Sequence, residues 1–131
     1  MFSCQRKNEK SITFSDGKRA VGNISEDSIF NGLIKYYDKN TGKILEKTEF
    51  FNGIRDGLSY GFDQNEKVEF ICKYEKGKLN GNVYFFDSLG QLTNTEHYYE
   101  GLRLGSKIKY VKNEPKIYEF IDLEESSLLK I

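Results

Sequence analysis

Apolar and polar residues alternate along most of this chain, in short runs cut by Gly, Asp and Asn. Leu58, Tyr60 and Phe62 alternate with Ser59 and Gly61, and Phe70, Cys72 and Tyr74 alternate with Ile71 and Lys73. A period of two marks a strand with unlike faces. The runs stop at Asp63-Gln64-Asn65-Glu66, Asp87-Ser88-Leu89-Gly90 and Val111-Lys112-Asn113-Glu114, which are turn-forming stretches. Connections this short join only antiparallel neighbours, so the pattern predicts a meander.

The pattern repeats. Asn52-Gly53-Ile54-Arg55-Asp56-Gly57, Lys76-Gly77-Lys78-Leu79-Asn80-Gly81 and Glu100-Gly101-Leu102-Arg103-Leu104-Gly105 each carry Gly-x-x-x-Gly, and both glycine series step by 24 residues. Their polar flanks exclude the membrane-helix reading of that motif. An aromatic stands three residues before each first glycine (Phe50, Tyr74, Tyr98) and five after each second one (Phe62, Phe86, Tyr110). One repeat earlier, Gly32 precedes Tyr37 at the same offset, but the step from Gly32 to Gly57 is 25. The extra residue is assigned to the turn Asp38-Lys39-Asn40-Thr41-Gly42. Gly17, in Ser15-Asp16-Gly17-Lys18, lies another 25 residues before Gly42 and marks a degenerate first repeat. Each unit reads as strand, turn, strand, turn. The fold class is therefore all-β: an elongated antiparallel β-meander of stacked hairpins, each packed on its neighbours.

Alternation predicts the faces. Leu58, Tyr60, Phe62, Tyr84, Phe86, Ile108 and Tyr110 are expected to share a regular, structural face with Ile44, Val68, Leu92, Phe50, Tyr74 and Tyr98. Recurring glycines at strand starts are expected to let rings lie over the backbone. The opposite face is expected to carry Ser59, Lys47, Lys73, Lys107 and Glu49, together with Tyr36, Phe85, Phe51 and Tyr99. Cys72 reads as a small core residue. Ile117-Tyr118-Glu119-Phe120-Ile121 is a last strand. Asp122 and Glu125 then suit a helix start, with Leu123, Leu128, Leu129 and Ile131 as an apolar stripe: a short capping helix or a docking tail. The expected organisation is a tail at residues 1–10, a degenerate repeat or cap at 11–30, repeats at 31–121, and a cap or tail at 122–131.

Composition adds exclusions. Twenty basic and twenty acidic residues cancel, so there is no electrostatic footprint for nucleic acid. No apolar run is long enough for a membrane helix. A membrane partner is expected only through lipidation or the basic residues of the repeats (Arg55, Lys76, Lys78, Arg103, Lys107, Lys109, Lys112). Cys4 and Cys72 give neither metal spacing nor a disulfide framework. Phe2-Ser3-Cys4-Gln5 before a polar stretch resembles the end of a bacterial lipoprotein signal without its apolar segment. Cys4 is therefore the lipidation site of an alternative, envelope-anchored reading, against a cytoplasmic one. The single histidine, His97, has no Cys nearby in sequence, and no phosphate-loop or metal-helix motif occurs. No catalytic, cofactor or metal residue is expected.

The Gly-x-x-x-Gly link, aromatic strand, Asp-started turn and second strand are similar to the MORN repeat. The looser spacing, as in Asn80-Gly81-Asn82-Val83-Tyr84-Phe85-Phe86-Asp87-Ser88-Leu89-Gly90-Gln91-Leu92, resembles the MORN-variant repeat of bacterial YwqK-like proteins over Asn31 to Phe120. Glu66 and Glu114 depart from it by replacing the turn glycine. The resemblance implies an extended sheet of hairpins in an antitoxin or immunity-type protein that binds another protein, a toxin or effector. The residues expected at such an interface are Tyr36, Phe51, Phe85, Tyr99, Arg55 and Arg103, since Tyr, Phe and Arg are enriched at interface hot spots. Self-coverage of that face by the chain ends is the alternative.

Overall fold

The computed structural model describes residues 9–111 and 114–120. They form eleven strands: β1 Glu9–Thr13, β2 Arg19–Ile24, β3 Phe30–Tyr37, β4 Ile44–Phe51, β5 Ile54–Phe62, β6 Val68–Glu75, β7 Lys78–Leu79, β8 Gly81–Phe86, β9 Leu92–Tyr99, β10 Leu102–Val111 and β11 Glu114–Phe120. All belong to one antiparallel sheet whose spatial order is the chain order, with the two-residue β7 paired only to β6. Ten strands spaced about 4.8 Å apart make a ladder about 43 Å wide. Among the described residues there is no helix, and every substantial contact between strands joins sheet neighbours. β1 begins inside the segment expected to be a tail. The expected helix after Asp122 lies outside the described residues, as does Cys4.

The two glycines of each link do different jobs. The first sits in a two-residue hairpin turn whose central residues both have positive φ: Asn52 and Gly53 (49° and 82°), Lys76 and Gly77 (50° and 88°), Glu100 and Gly101 (51° and 85°). That is the primed turn whose twist matches paired strands. The amide of each such glycine donates one repeat back, Gly53 to the carbonyl of Phe30, Gly77 to Arg55 and Gly101 to Leu79, each at 2.8 Å. The second glycine, at 57, 81 and 105, also has positive φ (119°, 102°, 68°). Around Gly57 and Gly105 the ladder register shifts, as a bulge requires. Gly32, Gly57 and Gly81 stand opposite Phe50, Tyr74 and Tyr98. A Cβ on Gly32 or Gly81 would meet nothing within 4 Å, so conformation, not ring stacking, selects glycine there. The ring that does lie over a glycine is Phe70, whose atoms would come within 2.0 Å of a Cβ at Gly61.

The opposite hairpin ends are closed by aspartate. Asp63 accepts from the amides of Asn65 and Lys67 at 2.8 and 3.0 Å, and Asp87 from those of Leu89 and Gln91, both at 2.9 Å. The left-handed turn position is held by Gly90 (82°) and, in the Asp63 turn, by Glu66 (62°). The Asp38 turn closes onto Lys43, one position further on than Asp63 onto Lys67 or Asp87 onto Gln91. The extra residue of that repeat is where the spacing put it. Successive turns are tied by lysines: Lys43 Nζ donates to the Gln64 carbonyl at 2.7 Å and Lys67 Nζ to that of Ser88 at 3.1 Å.

The core is one face of the sheet. Ile34, Thr48, Ser59 and Cys72 form a buried row of directly paired residues, continued by Val83 opposite Glu96. Small side chains fill this row because no second layer covers it. It is closed by larger neighbours on the same face: Phe30, Tyr36, Phe50, Phe70, Tyr74, Phe85 and Tyr98, all half-buried. Ala20 and Ile24 extend it to β2. Cys72 is buried in this row and Lys73 faces outward, as alternation predicted.

The expected grouping of strands into faces is corrected by the register. A two-residue turn pairs Phe50 with Arg55 and Phe51 with Ile54, and beyond the bulge Thr48 pairs with Ser59 and Lys47 with Tyr60. Even positions of β4 thus share a face with odd positions of β5. Leu58 and Tyr60 lie on the outer face, away from Phe50 and Tyr74. Tyr84, paired with Ile71, is outward too. Ser59, Tyr36 and Phe85, expected outside, belong to the core face.

Candidate functional site

The six residues named from sequence separate onto two faces. Tyr36, Arg55, Phe85 and Arg103 lie on the inner face. Phe51 and Tyr99 lie on the outer face, 64% and 58% exposed.

Arg55 is built into the core face. Its guanidinium carbon lies 5.3 Å from the Phe50 ring centre, 5.5 Å from Tyr74 and 5.8 Å from Tyr36. Nη1 pairs with the Glu46 carboxylate and donates to Thr48 Oγ1 at 3.0 Å. Thr48 also bonds Glu46 at 2.8 Å and lies 2.5 Å from the Ser59 hydroxyl. One side chain on β5 therefore ties β3, β4 and β6. Burial draws the Arg55 pKa down, but the hydrogen bond and charge of Glu46 outweigh it and hold the guanidinium above its ordinary value. Burial pushes the Tyr36 and Tyr74 phenols and the Cys72 thiol up, with Arg55 drawing each part of the way back. These groups are neutral at physiological pH and serve packing.

Arg103 occupies the same place two repeats on. It pairs with Glu96 at 3.4 Å, and Tyr98 donates to the same carboxylate at 3.0 Å. In the repeat between them the equivalent residue is Leu79. There the inner face is largely apolar, and a groove of about 180 Å³ runs between Phe70, Cys72, Tyr74, Val83, Phe85 and Tyr98, with Glu96 in its wall.

The outer face is different in kind. Phe51 and Ile54 flank the Asn52-Gly53 turn as a cross-strand pair, and Leu33 and Leu58 stand on the same face of β3 and β5. All four are exposed, and so is Ile29, whose Cγ2 lies over Gly53. A second group, Tyr84, Tyr99 and Leu102, is exposed on β8 to β10. Glu75 and Lys78, a cross-strand pair at the intervening turn, separate the groups. Phe51 was named from sequence as a candidate, and the structure leaves it exposed. Leu58 was expected on the structural face and Ile29, Leu33 and Ile54 were not singled out: an aliphatic residue's face is hidden until the register is known. The turn itself held the signal, because residues flanking a two-residue turn always share a face.

His97 is exposed on the outer face, with Nδ1 2.7 Å from Asn82 Oδ1. Among the described residues, no group of three or more His, Cys, Asp or Glu side chains converges to hold a metal ion.

No protein-family model matches the chain, and no curated protein matches it. Among solved structures it is similar to a mutant of S. aureus TarM crystallised with Fondaparinux, alpha-GlcNAc-glycerol and UDP. That similarity is 16% identity over 79% of this chain and 22% of the other, with a TM-score of 0.42. The chain thus spans about a fifth of that protein's length, and a likeness this shallow carries no functional argument.

Proposed function

We propose that this chain is a non-catalytic protein-binding module of MORN-variant type that works as a bacterial antitoxin or immunity protein. It neutralises a toxin or effector by covering it. The observation that supports the reading is the exposed apolar group Leu33, Phe51, Ile54 and Leu58 on one end of the outer face. Folded monomers rarely leave adjacent large apolar side chains in water unless another surface covers them. A flat strand face held by a separate inner core can meet a partner without rearranging, which keeps the ordering cost of binding low. Inhibition by such a surface is steric and needs no chemistry on this chain.

The test is genetic and then physical. The product of the adjacent gene is expressed alone and together with this chain. Growth arrest by the neighbour, relieved by the wild-type chain but not by a Phe51→Thr, Leu58→Thr variant, is the expected result. Relief by the variant as complete as by the wild type would remove the outer face from the mechanism.

A further inference from the structure

The apolar group borders a row of cations. Arg19, Lys35 and Lys47 stand on β2, β3 and β4, all on the outer face, with Lys35 directly opposite Lys47 in the register. Among the described residues none of the three has a carboxylate within ion-pair distance. Glu49, the closest acid in register, turns Oε1 to the Leu58 amide at 2.9 Å instead. Like charges directly across a ladder cost a sheet stability. Among the described residues no ion pair offsets that cost for Lys35; Glu9 lines the same hollow but does not pair with it.

We infer that the outer face of β2 to β5 recognises an acidic partner, a protein segment presenting carboxylates beside aliphatic or aromatic side chains. The inference rests on the docking reading above and adds the partner's chemistry. The carboxylates meet Lys35, Lys47 and Arg19, and the apolar side chains cover Leu33, Phe51 and Leu58. Charge across such an interface steers encounter and rejects wrong partners. Single-stranded nucleic acid fits less well, because bases stack on bare ring faces. Arg19 already sits 5.2 Å above Tyr37, and Lys47 Nζ 5.0 Å above Tyr60. An anionic lipid surface fits less well too, because its continuous layer of phosphates would also meet Glu49 and Glu75, whereas a peptide can set its carboxylates only where the cations stand.

The test is an NMR titration of the full, isotope-labelled chain with a synthetic peptide that alternates glutamate with leucine and phenylalanine. Two control peptides carry glutamine or lysine in place of glutamate. The glutamate peptide is expected to shift Leu33, Lys35, Lys47 and Phe51 and to bind about tenfold more tightly than either control. The Lys35→Glu, Lys47→Glu variant is expected to invert the preference toward the lysine peptide. Lys35→Glu alone should raise the melting temperature, since it turns a like pair into an opposite one, so its weaker binding cannot be blamed on unfolding. If the glutamine peptide binds this face as tightly as the glutamate peptide, the docking surface stands and the acidic partner falls. If no peptide shifts this face, both fall. A stronger response to mixed phosphatidylserine and phosphatidylcholine vesicles, or to an oligothymidylate, than to the glutamate peptide also overturns the inference.

Discussion

The inner and outer faces of this sheet are made by the same strands and obey different rules. The inner face is continuous: a buried row from Ile34 to Glu96, roofed by rings, to which β3, β4, β5, β6, β8 and β9 each contribute a residue. The outer face is patchy, with exposed apolar groups divided by charge. A single-layer sheet has no second layer to define a core, so its side chains must cover one another on one face. What remains on the other face is free of that duty. The contrast places the core on one side and leaves the other free for the recognition proposed above.

The inner face should break easily. Gly61→Ala puts a Cβ where the Phe70 ring lies, 2.0 Å from its nearest atom. Overpacking of this kind is expected to cost about 3 kcal/mol, read as a lowered urea midpoint with an unchanged slope. Next in size is Arg55→Leu, which copies the middle repeat at one position only. It leaves Glu46 and Thr48 without their cation and strips a charge from three rings, for a loss of about 2 kcal/mol. Adding Glu46→Phe, Thr48→Cys and Ser59→Val completes the middle repeat's set of Phe70, Cys72, Leu79 and Val83. That quadruple variant should recover to within about 1 kcal/mol of the wild type, because replacing a whole polar cluster is far cheaper than orphaning part of it. Failure to recover would mean that the repeats are not interchangeable on this face. Smaller and opposite in sign is Glu66→Gly. Glu66 holds a left-handed conformation that Gly90 holds in the next repeat, and the change should stabilise by about 1 kcal/mol in thermal melts.

The hairpins, their order and even the extra residue of the Asp38 turn were legible in the sequence. Turn chemistry is local: Asp63 and Asp87 bond amides two and four residues on, within one short window. Faces were not legible, because they depend on register across the ladder. The two-residue turn and the bulge after Arg55 decide which of Leu58 and Ser59 points inward, and neither is visible in the alternation of one strand. Arg55 was the most misleading residue for the same reason. Its partners Glu46 and Thr48 come from the preceding strand, and Tyr36 and Tyr74 from the strands on either side of that hairpin. Nothing in its own neighbourhood distinguishes a boxed arginine from a solvent-facing anchor. Phe51 and Tyr99, each one residue before a two-residue turn, were the members of the candidate set that the register leaves exposed.

The division of labour between the faces is tested most directly by the urea stability of one variant, Phe51→Thr, Ile54→Thr and Leu58→Thr. Threonine keeps the strand preference and, at Ile54, the methyl group that lies 3.1 Å from a Cβ at Gly77. A face that does no folding work predicts a total change below about 1 kcal/mol, with the slope unchanged. A loss of several kcal/mol would contradict the account, because it would show that these residues are already packed against the chain itself.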